Sequence, residues 1–510
     1  MYSEALALKP DNEAILSNRA GAYTCLEEYK KALEDAEAAI RINKDYPKGY
    51  YRKAFVLREL DKVSEALEVL KAAPEIVFED KVMIKLLSEV QAEFNADNVL
   101  PKDHPEIIGF NKLVKWLSDG GATFDKIKMR YYSEGYRGVH AKAKIKKKEN
   151  FLYIPRNLLI TLEMSKEAPV GAQMAKLKVP LLSPKHSYLS SYVLQELYNK
   201  DTKWKPYLDM LPKDLSSFPI FFTHEEKKWL DGSPFLDQVE DKIKDMEKDY
   251  NAIAIVVPEF SKYTLEEFKR VRMLVSSRIF GVKIDGNKTD ALVPLADMLN
   301  HKRPQETSWE YNEDKKGFII EAKTGIERGD QVYDSYGKKC NSRYFLNYGF
   351  TVENNDGNEV PIKISLNEDD ELQHAKKKIL GNGISKTIRV SEDLTEKNMV
   401  HFFSFLRFVN FKGEAMRLFE FEIMENSSKK SDEDGEESFQ CTNIPPISIE
   451  NETECLNQIK NQCTVQLEKY PTTHKEDLKI LETNKDLTYN QRNCVIMRSG
   501  EKQVSYYVDE

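Results

Sequence analysis

The sequence has few of the residues that build disulfide or metal frameworks. Its 510 residues include six cysteines, at positions 25, 340, 441, 455, 463 and 494. They are far apart, and no two of them form a C-x-x-C motif. This sparse pattern predicts neither a disulfide framework nor a structural zinc site, and we expect no metal.

A long apolar run, a secretion signal and a strong net charge are also missing. No segment stays apolar for the about 20 residues that a membrane-spanning helix needs, and the N-terminus lacks a charged-then-apolar signal. The net charge is −8, from 76 basic and 84 acidic residues, which argues against a basic nucleic-acid-binding surface. We therefore expect a soluble cytoplasmic or nuclear protein that contacts neither membranes nor nucleic acid directly.

The N-terminal part repeats itself. Residues 13–46 and 47–80 align at a 34-residue period, with small and aromatic residues at matching positions. Such residues let paired helices approach and fill the gaps between them. The segment resembles tetratricopeptide repeats, which implies stacked helix pairs. Residues 1–10 resemble the second helix of a preceding unit, so either the first unit is degenerate or the protein extends upstream.

Secondary-structure signals change twice along the remaining chain. Residues 81–115 are predicted to be helical, and short β-rich runs broken by glycines begin near residue 122. Residues 160–275 are again predicted to be mostly helical, and strand patterns return at "KGFIIEAK" and "DQVYDSYG". Helices dominate from about residue 365. The alternation predicts a multidomain α+β protein.

One stretch combines apolar and polar residues in an unusual way. "DALVPLADMLNHKRP", residues 290–304, is predicted to be a helix with Pro294 in its first turn. Asp297, Asn300 and His301 would then share one face at i, i+3 and i+4. Taken alone, the pattern favours a helix end whose polar residues meet water, because short motifs often mislead.

Four further motifs change that balance. They are "SEGYRGVHAK" (133–142), "WKPYLDMLP" (204–212), "SSRIFGV" (276–282) and "GDQVYDSYGKKCNSRYFLNYGF" (329–350). Together with residues 290–304, and in this order, they resemble the SET-domain methyltransferases of the Rubisco large-subunit methyltransferase branch. The resemblance covers about residues 105–510.

The resemblance implies a domain plan. Tetratricopeptide repeats at 1–80 and a helical linker at 81–104 precede a mixed, β-rich SET domain at 105–355. That domain carries a helical insertion at about 160–275. A helical substrate-binding domain follows at 356–510, with an acidic loop at about 425–438.

The resemblance also implies the site residues. S-adenosylmethionine is the expected cofactor, and the implied cofactor-binding residues are Glu134, Gly135, Tyr136, Arg278, Asp297, Asn300, His301, Tyr336 and Phe350. Tyr348 and Tyr336 are the implied catalytic residues, with Tyr348 near the amine and Tyr336 on the channel wall. Gly138 would allow close backbone approach. The family usually has an acid where this sequence has Arg343, and close relatives usually have an apolar residue in place of Asp334.

The implied activity is transfer of a methyl group to a lysine of a non-histone protein. Two alternatives remain open: methylation of a histidine, as in relatives that act on actin, and a binding adaptor whose SET domain is inactive. The adaptor hypothesis rests on Asn18, Lys48 and Arg52, which match three positions of the carboxylate clamp of chaperone-binding tetratricopeptide domains. Such a clamp would bind the acidic C-terminal tail of a chaperone.

Overall fold

The computed structural model describes residues 1–367, 369–380, 385–391, 396–412 and 444–509. The chain divides into two compact units. The first contains residues 1–213 and 252–337, and the second contains residues 214–251 and 338–510. No helix in the described part of the chain is both long enough and apolar enough to cross a membrane.

The first unit begins with helix pairs. The helices are α1 (Tyr2–Leu8), α2 (Glu13–Cys25), α3 (Tyr29–Ile42), α4 (Pro47–Glu59) and α5 (Val63–Lys71). The starts of α2 and α4, and those of α3 and α5, reproduce the predicted 34-residue offset. The small residues predicted at the helix contacts are fully buried: Ala20, Ala32, Ala39, Ala54 and Ala66. Their assignment to the tetratricopeptide class remains a prediction.

Helix α6 (Lys81–Asp97) packs against this stack of helices. Its residues Met83, Leu86 and Val90 share a hydrophobic core with residues of α4 and α5. The predicted linker, residues 81–104, therefore contains a packed helix. Helix α7 (Pro105–Asp119) follows.

Ion pairs join the repeat helices to the first strand, β1 (Ile127–Ser133). The Lys128 Nζ atom lies 2.6 Å from a carboxylate oxygen of Asp61 and 2.6 Å from one of Asp97. Arg130 Nη2 lies 2.7 Å from Asp97. These side chains are at most about a quarter exposed, so water screens the contacts less than at an open surface.

The sheet-rich part of this unit matches the predicted β-rich segments. Its strands after β1 are β2 (Tyr136–Ala141), β3 (Asn150–Pro155), β4 (Ile160–Thr161), β5 (Ile279–Ile284), β6 (Asn287–Leu292), β7 (Asn300–His301), β8 (Thr307–Asn312), β9 (Gly317–Ala322) and β10 (Tyr333–Asp334). The pairings form small sheets: β1–β2, β3–β9–β8, β4–β6–β5, and a short parallel pair, β7–β10.

The predicted helical insertion between β4 and β5 is helical. Its helices are α8 (Leu162–Glu167), α9 (Pro169–Lys176), α10 (Pro184–Tyr198), α11 (Lys205–Leu208), α12 (His224–Lys227), α13 (Phe235–Val256) and α14 (Leu265–Arg278). A capping box of Thr264 and Glu267 starts α14, which delivers Arg278 as its last residue.

The predicted helix at 290–304 is wrong. The chain completes strand β6 at Leu292, makes one 3₁₀ turn at Ala296–Met298, and pairs again at β7. Leu295 adopts a left-handed conformation with φ 71°, which a continuing helix does not allow. Residues 291–299 are all buried. Because the whole run is buried, its hydrophobic pattern has no period that could distinguish a helix from a strand followed by a turn.

The described residues of the second unit are mainly helical, with an antiparallel pair of strands that the sequence did not indicate. Its elements, after the α12 and α13 residues it includes, are α15 (Asn341–Tyr348), β11 (Glu359–Ser365), α16 (Gln373–Leu380), β12 (Ser385–Ser391), α17 (Glu396–Val409), α18 (Ile449–Glu468), α19 (His474–Thr483) and α20 (Tyr489–Asp509). Strands β11 and β12 pair antiparallel, and a core of their aliphatic residues packs with α17 and α18. The acidic segment 425–438 lies outside the described residues.

Candidate active site

Arg278 and Asp297 form a buried ion pair at the end of α14. Arg278 Nη1 donates to Asp297 Oδ2 at 3.1 Å and to the Asp297 carbonyl oxygen at 2.9 Å. Tyr207 from α11 donates its hydroxyl to the same carboxylate oxygen at 2.8 Å. Burial, reinforced by the Asp297 charge, holds the pKa of Tyr207 well above its ordinary value, so the hydroxyl remains a donor.

This cluster has hydrogen-bonding capacity to spare. Arg278 Nε and Asp297 Oδ1 are buried and have no hydrogen-bond partner among the residues that the structure describes. Buried polar atoms are nearly always paired in proteins, so an orphaned donor on a guanidinium suggests a ligand acceptor. Burial is the largest influence on Arg278 and tends to lower its pKa, but Asp297, Tyr207 and Tyr336 together outweigh burial and the net shift is upward.

Asn300 lies on β7, where its side-chain amide is fixed by two acceptors. Its Nδ2 donates to the Arg137 carbonyl oxygen at 3.1 Å and to Gln331 Oε1 at 2.8 Å. Because both donor hydrogens have acceptors, the amide oxygen is the group that remains to face a ligand.

His301 and Tyr336 form a second contact at the same pair of strands. Their rings are 5.1 Å apart and nearly parallel, and the Tyr336 backbone N–H donates to His301 Nδ1 at 3.0 Å. The Tyr336 hydroxyl donates to the Leu299 carbonyl oxygen at 2.9 Å. Consecutive residues of a strand point to opposite sides, so Asn300 and His301 serve different neighbours, contrary to the predicted shared helix face.

The turn between β1 and β2 carries the other predicted cofactor residues. Glu134, Gly135 and Tyr136 are all exposed, and Gly135 has φ +72° with open space where a Cβ would stand. The Gly135 N–H donates to a carboxylate oxygen of Glu106 at 2.8 Å, which ties the turn to α7. The left-handed backbone at residue 135 explains why this position is a glycine.

Tyr348 and Phe350 belong to the second unit, at the end of α15. Gly349 between them is the left-handed C-cap of the helix, with φ 76°. Phe350 stacks on Tyr344 at a centroid distance of 5.3 Å, and Tyr348 lies 6.2 Å from Phe350. Lys339 Nζ lies 5.9 Å from the centre of the Tyr348 ring. The three rings form one aromatic group in this unit.

Asn341 and Arg343 have clear but different surroundings. The Asn341 side chain is buried and exchanges hydrogen bonds with the backbone of Val352, at 3.0 and 2.9 Å. It therefore braces the chain after α15. Arg343, the departure from the family pattern, is exposed.

The three predicted clamp residues lie on α2 and α4, which pack together. Asn18 and Lys48 are exposed, and the Arg52 guanidinium lies against Gly21, where a Cβ would come within 2.7 Å of Arg52 Cζ. Gly21 is one helical turn after Asn18, so the structure brings these residues to neighbouring positions.

Comparison with known protein families separates the chain into recognisable parts. The SET domain family matches residues 136–337, and the family described as Rubisco LSMT substrate-binding matches residues 367–504. The chain contains a SET domain followed by a Rubisco LSMT substrate-binding domain. The N-terminal helices fall outside both matches.

Individual relatives agree with these matches. The chain is 27% identical over 408 residues to the actin-histidine N-methyltransferase of Callithrix jacchus, covering 78% of this chain and 67% of the relative. The human protein of the same name is 26% identical over the same coverage. Two solved structures have the same fold. One is the SET domain of LSMT bound to lysine and AdoHcy (TM-score 0.63, 20% identity, 79% of this chain and 90% of that one). The other is Rubisco LSMT bound to AdoMet (0.62, 21%, 79% and 90%).

The predicted fold class and activity class are confirmed: the SET and Rubisco LSMT substrate-binding matches and the relatives support S-adenosylmethionine-dependent protein methylation. The residues present fit that cofactor. The orphaned Nε of Arg278 offers a donor for a carboxylate, and the free amide oxygen of Asn300 offers an acceptor for an ammonium group.

Several residues of the SET domain site were missed from the sequence. Tyr207 stands inside the "WKPYLDMLP" motif and Gln331 inside "GDQVYDSYG", but no local pattern marks either one. His140 stands inside "SEGYRGVHAK" and Tyr132 directly before it, but no local pattern marks either residue. Their partners are far away in the chain, so only the folded structure reveals them.

Proposed function

We propose that the protein transfers the methyl group of S-adenosylmethionine to the side-chain amine of a lysine in a non-histone protein. The orphaned donor of Arg278 is the observation that carries the proposal. It stands beside Asp297, which keeps the guanidinium charged and oriented. A planar guanidinium with a free N–H suits the carboxylate of an amino-acid cofactor.

The remaining assignments concern what each side chain does. When bound, S-adenosylmethionine supplies an electrophilic methyl group on a sulfonium. Asn300 would accept a hydrogen bond from the cofactor, while His301 and Tyr336 would form its aromatic wall. The Tyr348 hydroxyl would accept an N–H of the incoming neutral amine and so align its lone pair. Aromatic surroundings favour the neutral form of lysine because they disfavour its charge.

The test combines binding with product analysis. We expect calorimetry to show binding of S-adenosylmethionine to the purified chain, and labelled methyl to appear on a protein of a cell lysate. Tyr348→Phe should lower the transfer rate about 100-fold while cofactor binding persists. Tyr2→Phe, which changes an exposed tyrosine of α1 outside the matched SET domain, should leave the rate unchanged. No binding by the wild-type chain would refute the proposal.

Histidine is the second candidate target. It is favoured by relatives named as actin-histidine N-methyltransferases, although at 26–27% identity. Lysine is favoured by the fold neighbour whose structure was solved with lysine bound. Mass spectrometry of the labelled protein decides between them, because it identifies the modified residue directly.

A second binding function is proposed for the helix pairs at residues 1–80. If they are tetratricopeptide repeats, Asn18, Lys48 and Arg52 would bind the acidic C-terminal tail of a chaperone. Support comes from their placement on facing helices and from Arg52 Nε, a buried donor without a hydrogen-bond partner among the described residues. Carboxylates are the natural acceptors for such donors.

A peptide with an acidic C-terminus tests this second function. We expect the wild-type chain to bind it and Lys48→Ala plus Arg52→Ala to abolish binding in fluorescence anisotropy. Lys53→Ala is the matched control, because Lys53 follows Arg52 but pairs with Glu37 at 3.0 Å. Equal binding by the double variant would refute the clamp. Cytoplasmic or nuclear residence remains a prediction.

A further inference from the structure

Strand β1 carries two different sets of contacts on one face. Lys128, Arg130 and Tyr132 alternate along the strand and share that face. The first two hold the carboxylates of the repeat helices, as described above. Tyr132 is nearest the turn at 134–136, and the centroid of its ring lies 4.9 Å from that of Tyr136.

A chain of hydrogen bonds runs from Tyr132 to Asn300. Gln331 Oε1 accepts from the Asn300 amide at 2.8 Å, and Gln331 Nε2 donates to the Tyr132 hydroxyl at 2.6 Å. The Tyr132 hydroxyl lies 2.7 Å from His140 Nε2, and His140 Nδ1 lies 2.8 Å from the Gly329 carbonyl oxygen. The chain therefore has five members and ends on the backbone.

The direction of every bond in this chain is fixed by chemistry. A carbonyl oxygen only accepts, so Nδ1 of His140 carries a hydrogen. In the neutral ring Nε2 then accepts, and Tyr132 must donate to it. Gln331 donates to Tyr132 through its amide nitrogen, so its oxygen faces Asn300. The Asn300 amide is thereby held with its nitrogen toward Gln331 and its oxygen outward.

Gly138 leaves the space that this chain occupies. A Cβ at residue 138 would come within 2.6 Å of the Tyr132 hydroxyl and 2.8 Å of Gln331 Oε1. The backbone of residue 138 is not left-handed, so its small size is the feature that matters. This glycine, predicted to allow close backbone approach, also leaves room for these two side chains.

We propose that Tyr132, His140 and Gln331 are positioning residues that orient the Asn300 amide for S-adenosylmethionine. The inference rests on the proposed role of Asn300 in the cofactor site. None of the three residues needs to touch the reacting atoms. Their effect is to remove the freedom of an amide that could otherwise rotate and present its nitrogen.

The proposal has a pH signature. Protonated His140 carries hydrogen on both nitrogens, so the Tyr132 hydroxyl loses its acceptor and the order of the chain breaks. Burial lowers the pKa of His140, the Gly329 carbonyl opposes this, and nearby Arg130 adds to the lowering. The ring is therefore neutral near pH 7.

Other charged groups face this ring from the elements around it. Lys128 and Arg130 on β1 disfavour its positive form, while Asp97 on α6 favours it. Arg328 and Asp330 flank the acceptor Gly329 in sequence. Arg328 is already paired with Glu93, at 2.7 Å. His140 is the group of this set whose ordinary pKa lies nearest neutrality, and its surroundings lower that pKa.

Calorimetric titration of S-adenosylmethionine tests the proposal. We expect Tyr132→Phe and Gln331→Leu each to raise the Kd about tenfold near neutral pH. The wild-type Kd should rise as the pH falls below about 6.5, because the pKa of His140 is lowered from that value, and Tyr132→Phe should flatten the rise. The control is Tyr153→Phe, which likewise removes one hydrogen-bonded tyrosine hydroxyl, in this case one that donates to the Lys315 carbonyl oxygen at 2.7 Å.

The outcomes separate this inference from the proposed function. A wild-type chain that binds the cofactor, with both variants binding equally well, overturns the positioning role and leaves the methyltransferase intact. An equal loss in Tyr153→Phe also overturns it, because the effect is then general. A wild-type chain that does not bind overturns both. Gly138→Ala gives a second check, since its methyl group should displace Tyr132 and raise the Kd similarly.

Discussion

Two buried aspartate–arginine pairs, one in each unit, use the same residue types differently. In the first unit, Arg278 reaches Asp297 through one nitrogen, and buried atoms remain unpaired on both side chains. In the second unit, Asp477 on α19 and Arg498 on α20 have side chains at most 4% exposed. Here Arg498 Nε and Nη2 both donate to Asp477 Oδ1, at 3.0 and 2.8 Å.

In the second pair, every side-chain nitrogen of Arg498 and both carboxylate oxygens of Asp477 have a hydrogen-bond partner. Arg498 Nη1 donates to the Trp229 carbonyl oxygen, and the other carboxylate oxygen of Asp477 receives Lys502 at 2.6 Å. Thr472 adds a further bond to Asp477 at 2.8 Å. The difference shows that unmet hydrogen-bonding capacity, more than burial or charge, separates a ligand site from a structural lock.

The largest effect is expected from removing the acid of the lock. Asp477→Ala leaves Arg498 and Lys502 buried without their shared counter-charge, which should cost about 3–5 kcal/mol of unfolding free energy. Chemical denaturation with hydrogen exchange of α20 measures this. Asp486→Ala, an exposed aspartate between α19 and α20, is the control and should change stability little. A loss below about 1 kcal/mol would contradict the lock.

Glu501 on α20 sharpens the comparison, because its described hydrogen-bond donors are neutral hydroxyls: Ser233 at 2.6 Å and Tyr470 at 2.9 Å. Burial raises the pKa of Glu501 from 4.5 to about 7. Stability from a raised carboxyl is full below its unfolded pKa and is lost as the pH rises. About 3 kcal/mol should therefore disappear between about pH 4.5 and pH 7. Unfolding across that range should show the slope in wild type and not in Glu501→Gln; identical slopes would contradict it.

A smaller and different effect is expected from changing each arginine to lysine. Arg278→Lys keeps the charge beside Asp297 but loses the spare planar donor, so cofactor affinity should fall by about 2 kcal/mol, or about 30-fold. Arg498→Lys should lower stability while leaving cofactor affinity unchanged at temperatures where it is folded. Calorimetry and thermal unfolding of both variants check the contrast. An equal fall in cofactor affinity in both variants would contradict the assignment of the first pair to cofactor binding and the second to stability.

Local sequence patterns were sufficient where contacts are local. The helix pairs of residues 13–71 follow from small residues at fixed spacing, because the partner helix is the next one along the chain. Gly349 lies within the motif at 329–350, and the left-handed backbone at this helix C-cap explains why the motif has a glycine there.

The same reasoning failed where distant contacts decide. Residues 300–301 were assigned to a helix, but pairing with Tyr333 and Asp334 makes them a strand. The side chains that orient Asn300 lie 31 residues away or further in the chain, and nothing in a single sequence joins them. Motif resemblance supplied the predicted site residues, whereas their supporting contacts required the fold.

The ion pairs between β1 and the repeat helices have a practical consequence. Lys128 and Arg130 are neutralised by Asp61 and Asp97, so the helices act as a built-in counter-ion for the strand that leads into the turn at 134–136. In a fragment lacking residues 1–97, Lys128 and Arg130 would lose their carboxylate partners, and the face of the strand that carries them would be exposed to water. Experiments on the SET domain should therefore use a chain that retains these N-terminal helices.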